Sequence, residues 1–144
     1  MQGALRLARE AATQINDDEH SVHWQAYQEL YDWCWANESL FYSEKPSSVG
    51  GSLTKPMNTE WLGRVMDDGT IAPLVRVVKQ RLKGWGYPYE ECRRAWQRRG
   101  LVPSYERKDG RRARCTCPIK IGERGKGTVM PLKQAPSDEY VEAA

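Results

Sequence analysis

The segment Tyr87-Pro88-Tyr89-Glu90-Glu91-Cys92-Arg93-Arg94-Ala95-Trp96-Gln97-Arg98-Arg99-Gly100 restricts the possible folds of this chain more than any other stretch. At a helical period, Tyr89, Cys92 and Trp96 share one side, while Arg94, Gln97 and Arg98 recur on the opposite side. Pro88 suits the first helical turn, Glu90 and Glu91 oppose the positive end of the helix dipole, and Gly100 supplies a left-handed stop. The segment therefore predicts a short helix with one packing face and one face of guanidinium and amide groups.

The flanks extend this helix into a motif. Trp61 to Met66, Asp67-Asp68-Gly69 and Thr70-Ile71-Ala72 read as two short strands around a tight Asp-Gly turn. Pro73, a good first-turn residue, then opens a helix through Leu74, Val75, Val77, Val78 and Leu82 that stops at Gly84-Trp85-Gly86. After Gly100 the period becomes that of strands: Leu101 to Tyr105, a turn at Lys108-Asp109-Gly110-Arg111, then Arg112 to Ile121. Pro118 hints at an edge or a strand end. A second turn at Gly122-Glu123-Arg124-Gly125-Lys126-Gly127 precedes Thr128 to Leu132. Hairpin, helix, turn, helix, strand, basic turn, strand is the order of a winged helix-turn-helix.

The N-terminal half has a different character. Ala4 to Ile15 form a modest amphipathic helix, and a longer one from near Ser21 through Ala36 repeats Trp24, Tyr27, Leu30, Tyr31, Cys34 and Trp35 at three- and four-residue spacing, a stripe that predicts core. Ser43 to Pro56 is rich in Ser, Gly and Pro, the composition of a connector. The expected class is α+β: N-terminal helices followed by a winged helix-turn-helix with a small antiparallel β element. Its divisions are a helical annex over 1–43, a flexible connector over 44–58, the winged-helix module over 59–132 and a disordered tail over 133–144.

Charge separates along the chain. Met1 to Val75 carry five Lys/Arg against eleven Asp/Glu, whereas Arg76 to Lys126 carry sixteen against five. Such segregation within a net charge of only +3 points to a positive field suited to a polyanion. No apolar run approaches the roughly 20 residues of a membrane span, and the N-terminus lacks the pattern of a signal peptide, so no membrane partner is expected and the cytoplasm is the expected location. Of the four cysteines, only Cys115 and Cys117 are close, and they do not supply the two Cys-x2-Cys or Cys/His knuckles that a zinc site wants. His20 and His23 are the other candidate ligands. Reduced structural thiols are expected, with no metal and no cofactor.

A search for catalytic groups returns little. Gly122 to Thr128 resembles a phosphate loop only superficially because no helix follows it, and Asp67-Asp68 and Asp17-Asp18 read as turn or cap residues. The expectation is therefore a protein that is not an enzyme. For duplex DNA the chemistry is better supplied: Arg94 and Arg98 can form bidentate bonds to guanine edges and Gln97 to adenine, with Arg93 nearer the rim for phosphates. Arg107, Lys108, Arg111 and Arg112, with Arg114, would form a wing that reaches phosphates or the minor groove.

Gly63-Arg64-Val65 with Asp68-Gly69, the Ile71-Ala72-Pro73-Leu74 entry, Gly86-Tyr87, Ala95-Trp96 with Arg99-Gly100-Leu101, and Asp109-Gly110-Arg111 resemble the C-terminal end of a phage- and plasmid-associated primase/helicase family. In that family an ATPase of unassigned function precedes an acidic, aromatic-containing helix and a winged-helix-like module. The resemblance covers about Trp24 to Leu132 and implies a role in DNA replication of a mobile element, touching DNA or positioning a helicase or primase ATPase. The ATPase itself has no counterpart here, so no nucleotide-binding residue carries over, and the chain reads as an excised domain or a stand-alone accessory. An alternative reading is a protein-interaction subunit or inhibitor that docks on a replication or defence complex through Trp24, Trp33, Trp35 and the acidic half, or whose acidic half mimics nucleic acid.

Overall fold

The computed structural model of the chain describes residues 22–105, 114–123 and 125–133. The helix expected over Ala4 to Ile15 and the tail beyond Lys133 lie outside them. Helix α1 (Val22–Ala36) turns Ala26, Tyr27, Leu30 and Cys34 inward at helical spacing and buries all four completely. A single 3₁₀ turn, Glu38–Leu40, then leads into the short strand β1 (Phe41–Tyr42).

A one-turn helix α2 (Pro46–Val49) follows, and then strands β2 (Gly63–Val65) and β3 (Ile71–Pro73). β1 runs parallel to β2, with Phe41 opposite Gly63; β2 runs antiparallel to β3, with Arg64 opposite Ala72. The expected Asp-Gly turn joins β2 to β3: the Met66 N–H donates to Thr70 O at 2.8 Å, and the Asp68 carboxylate accepts the Thr70 N–H at 2.9 Å.

Helices α3 (Val75–Trp85) and α4 (Tyr89–Arg98) come next, and a hairpin of β4 (Cys117–Ile121) and β5 (Gly125–Val129) completes the fold. Beyond β5 the chain continues along the free side of β3. There the Met130 N–H donates to Pro73 O and the Leu132 N–H to Ile71 O, each at 2.9 Å. The mixed α+β class follows directly from these elements. Within the described residues, no helix is long and apolar enough to cross a membrane.

Several boundaries differ from the sequence expectation. Pro73 closes β3 instead of opening α3, because its carbonyl is drawn into the ladder by the Met130 N–H; Leu74, extended at φ −61° and ψ 143°, becomes the N-cap. Pro88 is likewise the extended N-cap of α4, at φ −78° and ψ 117°. The segment expected as a flexible connector folds back on β1: the Ser43 N–H donates to Ser52 O and the Ser52 N–H to Phe41 O, both at 2.8 Å. Gly50 and Gly51, at φ 99° and 85°, make that reversal in a region side chains disfavour. Leu101 and Val102 are buried without forming a strand, and β4 begins at Cys117 instead of Arg112.

The expected annex is also continuous with the rest. One core cluster joins Tyr27, Leu30 and Cys34 of α1 to Val65, Ile71, Leu82, Trp96, Met130 and Leu132. The Tyr27 hydroxyl sits 2.8 Å from Leu101 O and 2.6 Å from Lys133 O, so one buried proton links α1 to both chain segments beyond α4. Tyr27→Phe leaves those two carbonyls short of a donor and is expected to cost about 1–3 kcal/mol in urea unfolding. No change in midpoint would mean that the Tyr27 hydroxyl adds nothing to the hold on α1.

Candidate nucleic-acid interface

The α3–α4 turn fixes how α4 is presented. Gly86, in the left-handed region at φ 88°, ends α3, and the Tyr87 N–H closes back on Leu82 O at 2.8 Å. α4 then buries Cys92, Ala95 and Trp96. The Trp96 indole N–H donates to His23 O of α1 at 2.8 Å, and its ring meets Tyr27 edge-on at 5.2 Å. With that side committed to α1, Arg94 and Arg98 are directed outward and exposed. Neither makes an ion pair with a carboxylate of the described residues.

The other candidates on α4 are engaged locally. Arg93 is only 17% exposed; it pairs with Glu90 at 2.8 Å and donates to the Gln97 side-chain oxygen at 3.3 Å. Gln97 in turn donates its amide N–H to Ser104 Oγ at 3.2 Å, so both ends of the expected adenine reader have internal partners. The Arg93 guanidinium holds the Glu90 carboxyl below the usual glutamate range. Helical spacing alone contained the signal for this: Glu90 to Arg93 is i, i+3 and Arg93 to Gln97 is i, i+4. Arg99 has further contacts of its own.

Arg107, Lys108, Arg111 and Arg112 lie outside the described residues. Arg114 is exposed and pairs by backbone with Tyr105, at 2.6 and 2.9 Å, where the ends of the 106–113 segment are held together. The full antiparallel ladder of this region sits one turn later in the chain, with Cys117 opposite Val129 and Ile121 opposite Gly125. Among the described residues this hairpin turns around Gly122, the second turn expected from the sequence, and its exposed cation opposite Lys120 is Lys126, which sequence reasoning did not single out as a binding residue.

That hairpin is tied to the first sheet by an ion-pair network that was also not foreseen. Arg64 donates to Lys120 O at 3.2 Å and lies 3.5 Å from the Glu44 carboxylate and 3.7 Å from Asp67. Glu44 also meets the Lys120 ammonium at 3.3 Å and accepts the Tyr42 hydroxyl at 3.1 Å. Arg64 stands over the Tyr42 ring, and Tyr42 meets Trp61 edge-on at 5.5 Å. Lys120, with Tyr42 and Arg64, pulls the Glu44 carboxyl below its ordinary range.

A lowered folded-state value means that the stabilising contribution is present above the ordinary glutamate value and is lost as pH falls through the folded one. Thermal unfolding of the wild type should accordingly lose stability as pH drops below about 4.3. Glu44→Gln should flatten that dependence; identical pH profiles for the two proteins would remove Glu44 from the anchoring of the hairpin.

The cysteines are free: Cys34, Cys92 and Cys115 are buried and Cys117 is half-buried. Burial pushes the Cys92 thiol up to about 11 and raises Cys115 as well. The Tyr105 hydroxyl lies 3.6 Å from the Cys117 sulfur. His23 stands 4.0 Å from Glu91, and His20 lies outside the described residues. Among the described residues, no three His, Cys, Asp or Glu side chains are grouped as metal ligands would be. No protein-family model, no curated protein and no solved structure matches this chain.

Proposed function

We propose that this chain is a non-catalytic DNA-binding module of the winged-helix type, accessory to a primase or helicase that replicates a phage or plasmid. The observation that carries the reading is the two-sided character of α4: Cys92, Ala95 and Trp96 are buried, while Arg94 and Arg98 are exposed and unpaired with described carboxylates. The two arginines are one helical turn apart, about 6 Å along the axis, and the B-DNA major groove admits a helix in that orientation.

The order β3, α3, α4, β4, β5 supports the same reading. So does the pairing of residues 130–132 beside β3, which sets the strand before the helix pair against the segment that follows the hairpin. Lys126 on the hairpin and Arg114, paired by backbone with Tyr105, supply exposed cations for phosphates. The replication role and the ATPase partner are inferred from the resemblance alone. The alternative, docking through Trp24, Trp33 and Trp35, has less support, since all three pack against the core. Trp33 also meets Trp85 edge-on at 6.4 Å and lies beneath Arg81.

Anisotropy titration of a labelled duplex at about 50 and 200 mM salt tests the proposal. The expected result is saturable binding that weakens steeply with salt, as release of counterions from several phosphates requires. Absence of binding at the lower salt would overturn it.

A further inference from the structure

We infer that the turn between α3 and α4 carries a second nucleic-acid site, one for an unpaired strand, with a phosphate held between Lys79 and Lys83 and a base laid against the Tyr89 ring. A groove of about 530 Å³ lies over this turn, lined by Lys79, Lys83, Gly86, Tyr87, Pro88 and Tyr89. That size falls within the range of small-ligand clefts, roughly 300–1,000 Å³. Lys79 and Lys83 are exposed and one turn apart on α3, the spacing at which two side chains can meet one anion.

The Lys79 ammonium stands over the Tyr89 ring, 5.2 Å from its centre, so a base takes that face as the ammonium moves off it to the phosphate. Tyr89 is half-buried against the core, a ring already fixed in place that loses little freedom when a base stacks on it. Burial pushes its phenol up to about 12, so the ring stays neutral beside a phosphate. Of the neighbouring acids, Glu90 is paired with Arg93 at 2.8 Å, while Glu29 accepts the Tyr87 hydroxyl at 3.1 Å and keeps its charge against the two lysines. The charge balance over the groove therefore favours an anion.

The site is separate from the outer face of α4. Tyr89 precedes Arg94 and Arg98 by five and nine positions, which is about 140° and 180° around a helix. A paired base shows a protein its edge, whereas an unpaired base offers a ring face; stacking on Tyr89 therefore selects single strands. The site stands on its own residues and does not depend on groove reading by Arg94 and Arg98. If both hold, the protein would contact a junction, with duplex on one side of α4 and single strand on the other.

The test compares a fluorescein-labelled oligothymidylate of about 10 nucleotides with a labelled duplex of about 20 base pairs, by anisotropy. Lys79→Ala with Lys83→Ala should weaken oligothymidylate binding roughly tenfold and change duplex affinity by less than about twofold. Tyr89→Leu should weaken oligothymidylate binding by a similar factor, while Tyr89→Phe, which keeps the ring, should retain it. Circular dichroism confirms that each variant is folded, and the surface lysine pair carries the test if Tyr89→Leu is not. Wild type that fails to bind oligothymidylate, a lysine variant with unchanged oligothymidylate affinity, or an equal loss on both substrates would each overturn the inference. R94A/R98A should show the reverse pattern; if it does not while the lysine variant behaves as stated, the groove reading fails and the single-strand site stands.

Discussion

Trp96→Ala is expected to lower folding stability by about 3–5 kcal/mol, a large part of the total of about 5–15 kcal/mol available to a domain of this kind. Trp96 is 1% exposed and is among the largest side chains fully enclosed by the core. Removing it empties the space between α4 and α1, deletes the edge-on contact with Tyr27 and leaves the His23 carbonyl without its indole donor. Urea unfolding followed by far-UV circular dichroism measures the loss. A change below about 1 kcal/mol would mean that α4 does not dock on α1 as described.

The second large effect concerns binding instead of stability. Replacing Arg94 and Arg98 together should weaken duplex DNA by roughly ten- to a hundredfold and relax base preference, since a bidentate guanidinium–guanine contact contributes about 1–3 kcal/mol of discrimination. Both side chains are exposed, so the thermal midpoint should move little. Lys126→Ala offers the contrast. A phosphate contact carries no sequence information, so its loss should weaken all duplexes alike and reduce the salt slope by about one.

Much of α4 and its surroundings was legible in the sequence because the signals are local. The spacing of Cys92 and Trp96, the stop at Gly100 and the Asp67-Asp68-Gly69 turn each act within a few residues, and the structure places all of them where period and turn chemistry indicated. What was not legible depends on distant partners. Pro73 looks like a first-turn residue until the Met130 N–H, far along the chain, claims its carbonyl. The Ser/Gly/Pro stretch after β1 looks flexible until Ser52 is seen bonded to Phe41 and Ser43.

The candidate residues divide in the same way. Arg94 and Arg98 were assigned to the outer face by period alone. Gln97 shares that face, yet its amide is occupied by Arg93 and by Ser104, a residue beyond the helix. The network of Glu44, Arg64 and Lys120 joins residues separated by up to 76 positions, so no window of sequence could display it. The turn at Gly122 was legible for the local reason that glycines cluster there, and β4 and β5 pair around it; the turn expected at Asp109-Gly110 lies outside the described residues.

The most direct measurement is a parallel anisotropy titration of the wild type and R94A/R98A against one duplex at low salt, with thermal unfolding of both proteins recorded alongside. The expected result is a binding curve displaced by at least about tenfold for the variant with a matching unfolding midpoint. Superimposed binding curves from two equally folded proteins would contradict recognition of DNA by the outer face of α4.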